Sequence, residues 1–202
     1  MGADLLTNNN LETELLSGQG RSYGLELLLR KNVGKFTGWL SYTLSKSELK
    51  IDGLSTDDPG INNGRYYPTS FDKRHDLSIT GVYELNKRMS LNGSFVLASG
   101  IPGTFPTGKY QYLGLEVPHF RQRFQNRLPA YHRLDLSLTI KKRPKNGKPA
   151  NGEWVVGFYN IYNRANATSI YFAEDEENPG DIKAFKSFLF GITPSISYNF
   201  KF

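Results

Sequence analysis

Between Ser187 and Phe202 every second residue is apolar: Phe188, Phe190, Ile192, Pro194, Ile196, Tyr198, Phe200 and Phe202 alternate with Ser187, Leu189, Gly191, Thr193, Ser195, Ser197, Asn199 and Lys201. Successive side chains of a strand point to opposite faces, so this run predicts a strand with one greasy face and one face that, apart from Leu189, is small or polar. A soluble sandwich strand is typically about five or six residues long, whereas about 9–11 tilted residues cross a bilayer. A run this long predicts a strand that crosses a membrane.

The same period of two recurs along the chain. Tyr23, Leu25, Leu27 and Leu29 fall on one face, and then Phe36, Gly38, Leu40, Tyr42 and Leu44. Leu77, Ile79, Gly81, Tyr83 and Leu85 follow, then Met89, Leu91, Gly93, Phe95 and Leu97, and then His132, Leu134, Leu136, Leu138 and Ile140. The stretch Glu153 to Tyr162 is the least clear, because large residues occupy both of its faces. Asn32-Val33-Gly34-Lys35, Asn86-Lys87 and the basic Lys142 to Lys148 are short connections. The stretches 49–72, 100–130 and 163–186 are read as long loops rich in breakers. Short and long connections alternate, as they do in bacterial outer-membrane barrels, which have short periplasmic turns and long external loops. The expected fold is all-β: an antiparallel transmembrane β-barrel segment of about seven strands, with short periplasmic turns and long extracellular loops.

An odd strand count places the start of the chain outside the cell and implies the C-terminal part of a larger barrel, since complete bacterial barrels have even counts. Residues 1–19 read as a loop or extracellular segment, and 20–202 as barrel. A further strand within 4–16, where Leu11, Thr13 and Leu15 alternate faintly, would instead close a small barrel. No basic region leads into an apolar run near Met1, so no secretory leader is read there.

Composition narrows the chemistry. No stretch approaches about 18 consecutive apolar residues, which excludes a transmembrane helix but not a barrel. The absence of cysteine excludes disulfides and thiolate metal sites. The net charge of +6 is spread over turns and one strand face, and its densest patch, Lys141 to Lys148, lies on a turn, so no nucleic-acid partner is expected. His75, His119 and His132 are not at ligand spacing and read as structural, the first and last at the rim. Asp52 to Asp58 resembles a calcium loop, but its twelfth position is Asn63 instead of a bidentate Glu. Glu174-Asp175-Glu176-Glu177 reads as a solvated loop, and Asn166-Ala167-Thr168 as an incidental sequon. Arg133 and Asp135, two residues apart on one face, read as lumen charges. No cofactor, metal or catalytic set is expected.

Six segments carry a resemblance: Ser22-Tyr23-Gly24-Leu25-Glu26, Gly38 to Ser45 (GWLSYTLS), Phe71 to Leu77 (FDKRHDL), Tyr131-His132-Arg133-Leu134-Asp135, Tyr159 to Asn166 (YNIYNRAN) and Pro194 to Phe202 (PSISYNFKF). In order and spacing, residues 18–202 resemble the last third of TonB-dependent outer-membrane receptors of the Bacteroidetes type. The resemblance implies a barrel of about 22 strands in the bacterial outer membrane, plugged by an N-terminal domain and importing a scarce nutrient of the siderophore, cobalamin or oligosaccharide class. It implies that Tyr198, Phe200 and Phe202 form the signal read by the barrel-assembly machinery, that lipid covers the greasy face, and that TonB is reached only through N-terminal parts this sequence lacks. The alternative from another class is a soluble all-β binding module whose greasy face packs on a second sheet or a partner.

Overall fold

The computed structural model describes residues 16–55, 57–113, 115–143, 152–175 and 182–200. Its strands are β1 (Gly18–Lys31), β2 (Phe36–Ile51), β3 (Tyr67–Pro68), β4 (His75–Glu84), β5 (Met89–Ala98), β6 (Pro102–Gly103), β7 (Gly108–Tyr112), β8 (Leu115–His119), β9 (Asn126–Arg127), β10 (Tyr131–Lys141), β11 (Gly152–Tyr159), β12 (Ser169–Glu174), β13 (Ile182–Ser187) and β14 (Thr193–Phe200). The protein is all-β, and no α-helix occurs among the described residues. The main sheet runs β1-β2-β4-β5-β10-β11-β14, with β3 added on β2. Each strand of that path lies beside the next one to join it, the simplest connection for antiparallel neighbours. Among the described residues β1 and β14 are not paired with each other.

The residues form two compact units, one comprising Gly24–Ser45, Lys73–Ile101 and Arg127–Phe202, the other Met1–Tyr23, Lys46–Asp72 and Pro102–Asn126. In the first unit the register sorts side chains into two unlike faces. On one face Leu40, Ile79, Phe95 and Leu134 are successive cross-strand partners. So are Phe36, Tyr83, Leu91, Leu138, Val156 and Ile196. Another row joins Met89, Ile140, Trp154 and Tyr198. On the opposite face Thr80, Ser94 and Asp135 are partners, as are Asn92, Ser137, Gly157 and Ser195. The register resolves the ambiguous stretch 153–162: Trp154, Val156 and Phe158 join the apolar face, while Val155, Gly157 and Tyr159 lie opposite.

Among the described residues no second layer covers the apolar face. Leu25 is 68% exposed and Ile196 69%, and the buried apolar side chains among the described residues, Tyr67 and Pro102, belong to the other unit. The hairpin turns follow from local chemistry: Gly34 takes φ 98° between β1 and β2, and Asn86 Oδ1 accepts the N–H groups of Arg88 and Met89 at 2.9 and 3.0 Å between β4 and β5.

Three details depart from the sequence expectation. The terminal run does not form one continuous strand: β13 ends at Ser187 and β14 begins at Thr193. The interruption is held by Asn163, whose Oδ1 accepts the Ile192 N–H at 2.8 Å, and by Asn160, whose Nδ2 donates to the Phe190 carbonyl at 3.4 Å. Pro194 then sits near the start of β14, an edge strand, where its missing N–H costs least. The stretches expected as loops also contain three two-stranded pairings, β6–β9, β7–β8 and β12–β13, the last clasped by stacked Tyr171 and Phe185 rings 5.4 Å apart. Finally, β1 begins at Gly18 and β2 extends to Ile51. The alternative strand within 4–16 lies outside the described residues, apart from Leu16.

Candidate functional site

On the polar face of the first unit, β10 and β11 build a compact charged network. Arg133 Nε donates to Asp135 Oδ2 at 2.9 Å, and its Nη1 donates to the hydroxyls of Tyr131 and Tyr159 at 2.8 and 2.6 Å. The guanidinium also lies 4.0 Å above the Tyr159 ring. Residues i and i+2 of a strand share a face, which places Tyr131, Arg133 and Asp135 in line, and Tyr159 comes across from the neighbouring strand.

The other oxygen of Asp135 accepts the backbone N–H of Asn160 at 2.8 Å. Asn160 is 1% exposed and has φ 52°, a left-handed conformation that asparagine tolerates better than most residues. Its amide donates to the Arg164 carbonyl at 2.9 Å and its oxygen accepts the Arg164 N–H at 3.0 Å, closing a tight loop. Asn166 continues the theme: its oxygen accepts the His132 N–H at 3.1 Å and its amide donates to the His132 carbonyl at 2.9 Å, pairing with β10 as a strand residue would. Asn160, Asn163 and Asn166 therefore anchor the segment after β11 to β10 and to the chain ahead of β14. The sequence signal was available, since YNIYNRAN places an asparagine at every third position, but a polar residue in a loop does not announce what it bonds.

Below this network the polar face carries a shallow depression of about 260 Å³, lined in part by Thr80, Asn92, Ser94, Asp135, Ser137 and Tyr159. Neutral groups on this face bond to one another: Asn92 Nδ2 donates to Thr139 Oγ1 at 3.0 Å, and the Thr80 and Ser94 hydroxyls lie 3.4 Å apart. No group of three His, Cys, Asp or Glu side chains able to hold a metal converges among the described residues.

The histidines are used singly. His75 Nδ1 and the Tyr42 hydroxyl are 2.8 Å apart, and His132 Nδ1 lies 2.8 Å from the Tyr162 hydroxyl. Both histidines belong to the apolar face by register, at the end of the sheet away from the short turns. At the turn end stand Trp154 and Tyr198, with rings 4.8 Å apart, with Phe200 stacked on Tyr198 and Lys142 Nζ 4.7 Å from the Tyr198 centroid. Phe202, the last residue of the expected assembly signal, lies outside the described residues, as do Lys145 and Lys148 of the basic patch and Glu176 and Glu177 of the acidic run.

In the other unit the calcium-loop residues are already engaged. Asp58 accepts the Gly60 N–H at 2.9 Å and the Leu54 N–H at 3.0 Å, bonds that hold its carboxyl below the usual range. Asp52 pairs with Lys50 at 2.9 Å. Glu48 bridges Lys46 at 2.6 Å and Arg21 at 2.7 Å. Burial pushes its pKa up, but the bonds from Lys46 and Arg21 outweigh that, and the net shift is downward.

Compared with known proteins, the chain matches no family model, no curated protein and no solved structure.

Proposed function

We propose that the main sheet is a wall segment of a bacterial outer-membrane β-barrel, and that the chain is the C-terminal barrel portion of a TonB-dependent receptor that imports a scarce nutrient. The observation that carries this reading is the contrast between the faces: one predominantly apolar, with Phe36, Ile79, Tyr83, Leu91, Trp154 and Ile196 exposed, the other carrying Ser, Thr, Asn and a satisfied Arg–Asp pair. A water-exposed sheet gains nothing from rows such as Phe36-Tyr83-Leu91-Leu138-Val156-Ile196, whereas hydrocarbon does not penalise them.

The dimensions agree. From His75 to Leu85 the apolar face spans about ten residues, roughly 33 Å along the strand and about 25 Å in depth at a tilt of ~40°, the height of a barrel's lipid band. Aromatic side chains cluster at both ends of that band, Tyr42 and Tyr162 at one and Trp154 and Tyr198 at the other, as they do where amphipathic rings meet headgroups. The open edges at β1 and β14 are then completed by further strands, because unpaired backbone groups are costly in lipid. The polar face looks into the lumen, and the stretches 49–72, 100–130 and 163–186 serve as the external loops that meet the nutrient.

The chain's two tryptophans provide the test, because Trp154 belongs to the apolar face and Trp39, partner of Thr80, to the polar one. Trp39→Phe and Trp154→Phe each leave a single reporter. In bilayers of brominated lipid the Trp154 emission should be strongly quenched and that of Trp39 should change little. Equal quenching of both, or stronger quenching of Trp39, refutes the lipid-facing assignment. Quenching of neither places the sheet in water and favours the soluble module.

A further inference from the structure

The unit built from 46–72 and 102–126 contains a depression of about 230 Å³ with an unusual lining. Its walls are Asn62 and Arg65–Pro68 on one side and Gln122–Gln125 on the other. One side chain clips the walls together: Asn62 Nδ2 donates to the Arg123 carbonyl at 2.8 Å, and Asn62 Oδ1 accepts the Arg123 N–H at 2.7 Å. Phe124 N–H is taken by Thr104 Oγ1 at 3.0 Å, and the buried Tyr67 ring lies 6.3 Å from the Phe124 ring. Asn62, Asn63 and Phe124 all occupy the left-handed region, at φ 53°, 57° and 56°. Phenylalanine has no side-chain oxygen to favour that conformation, so it persists where surrounding contacts over-determine it, and such positions cluster at ligand clamps. The depression is therefore a pre-shaped feature of two long loops.

Its electrostatics are one-sided. Arg65 and Arg123 line it, both exposed, and neither forms an ion pair among the described residues. No carboxylate lines it. Arg21 makes the contrast clear: it is spent on Glu48 at 2.7 Å and lies 3.8 Å above the Tyr66 ring, while Arg65 has no such partner. A guanidinium is a planar fork matched to carboxylate and phosphate oxygens. The remaining polar lining, the Gln122 and Gln125 amides with Tyr66, suits hydroxyl groups on a ring. The volume falls below the ~300–1,000 Å³ of sites that enclose drug-sized ligands, which limits the occupant to about one ring and its substituent.

We infer that this depression binds an oxyanion carried on a single sugar-sized ring, a carboxylated or phosphorylated sugar, with Arg65 and Arg123 holding the oxyanion and Gln122 and Gln125 the hydroxyls. The inference rests on the loop unit alone and is separate from the membrane assignment of the sheet, which the tryptophan experiment tests independently.

The experiment is calorimetric titration of the full chain in detergent micelles, each variant first matched to the parent by circular dichroism. The probes are glucuronate, glucose 6-phosphate, glucose and inorganic phosphate. One of the two charged sugars should bind saturably and about tenfold more tightly than glucose or inorganic phosphate, and which one does so distinguishes a carboxylate from a phosphate ligand. Arg65→Gln and Arg123→Gln should each weaken it about fivefold or more, whereas Arg121→Gln, an exposed cation beside the site but not in its lining, should change it less than about twofold. Glucose binding as tightly as the charged sugars overturns the oxyanion assignment, and inorganic phosphate doing so overturns the ring. An equal loss in Arg121→Gln reduces the effect to diffuse charge and also overturns the site, as does the absence of binding by any probe.

Discussion

Adjacent residues in one strand give a sharp test of which face meets lipid. Ile79 stands on the apolar face between Leu40 and Phe95, and Thr80, the next residue, stands on the polar face between Trp39 and Ser94. On the proposed membrane reading, Ile79 lies four residues from His75 and six from Leu85, roughly 13 and 20 Å along the strand and about 10 and 15 Å in depth from the two ends of the apolar band, and so within a few ångströms of the bilayer midplane. Arginine at such a lipid-facing site costs about 2–4 kcal/mol, which lowers the folding equilibrium constant roughly 30- to 900-fold. Thr80→Arg instead places its charge over a hydroxyl and amide surface and breaks only a 3.4 Å contact with Ser94, for about 1 kcal/mol or less.

Urea titration of the bilayer-folded chain, followed by circular dichroism, reads both values. The expected result is a large shift for Ile79→Arg and a small one for Thr80→Arg. The reasoning fails if Thr80→Arg costs as much or more, which would put lipid on the other face. It also fails if both cost less than about 0.5 kcal/mol, the range of an ordinary exposed position.

Other substitutions test the local arguments. A Cβ on Gly38 would meet the Thr80 carbonyl oxygen and come within 2.9 Å of Gly81 Cα, both backbone, so Gly38→Ala should cost more than about 2 kcal/mol; Gly93→Ala meets only the Leu136 Cδ2 at 3.3 Å and should cost under about 1 kcal/mol in the same denaturation assay. Asn160→Ala removes both amide bonds and the Arg164 clasp from a buried left-handed position, and should lower stability by about 3 kcal/mol or more, read as a fall in melting temperature. Glu48 titrates below its ordinary 4.5 when folded, so the unfolded chain takes up the proton first as pH falls. Its contribution is full above about pH 5 and is lost as pH drops through the folded value. The protection factors of amides around β3, which are corrected for the intrinsic pH dependence of exchange, should therefore fall below about pH 4.5 in the parent and show no such onset in Glu48→Gln.

How far the sequence foretold this depends on which force acted. Period-two patterning placed Leu77, Ile79, Gly81 and Tyr83 on one face, and the register keeps them there, because burial and face are fixed residue by residue. The turn at Asn86-Lys87 was legible for the same local reason. The pairing of Arg133 with Asp135 follows from their spacing of two. The role of Asn160 was not legible: it depends on Arg164 and Phe190, which only the fold brings to it, and so the terminal strand was read as beginning at Ser187 although the structure places its start at Thr193. The β7–β8 and β12–β13 ribbons were missed because breakers around them outweighed short alternations. The Asn62–Arg123 clasp joins residues far apart in sequence, and no periodicity encodes such a contact.

The edges of the sheet carry the remaining consequence. Strand β10 is bonded on both sides, to β5 and β11, so every amide from Leu136 to Ile140 has a strand neighbour. Strand β14 is bonded to β11 alone, so about half of its backbone groups face outward without a strand partner among the described residues. On the proposed membrane reading each such group costs several kcal/mol in hydrocarbon, and that reading therefore requires another strand beside β14. Amide exchange of the chain in micelles distinguishes the ways of completing it. If further strands beyond this sheet are required, amides at 136–140 should exchange slowly while alternate amides between Thr193 and Phe200 exchange within the dead time. If β1 and β14 closed on each other as a small barrel, both sets would be slow, and the reading of the chain as part of a larger wall would fall.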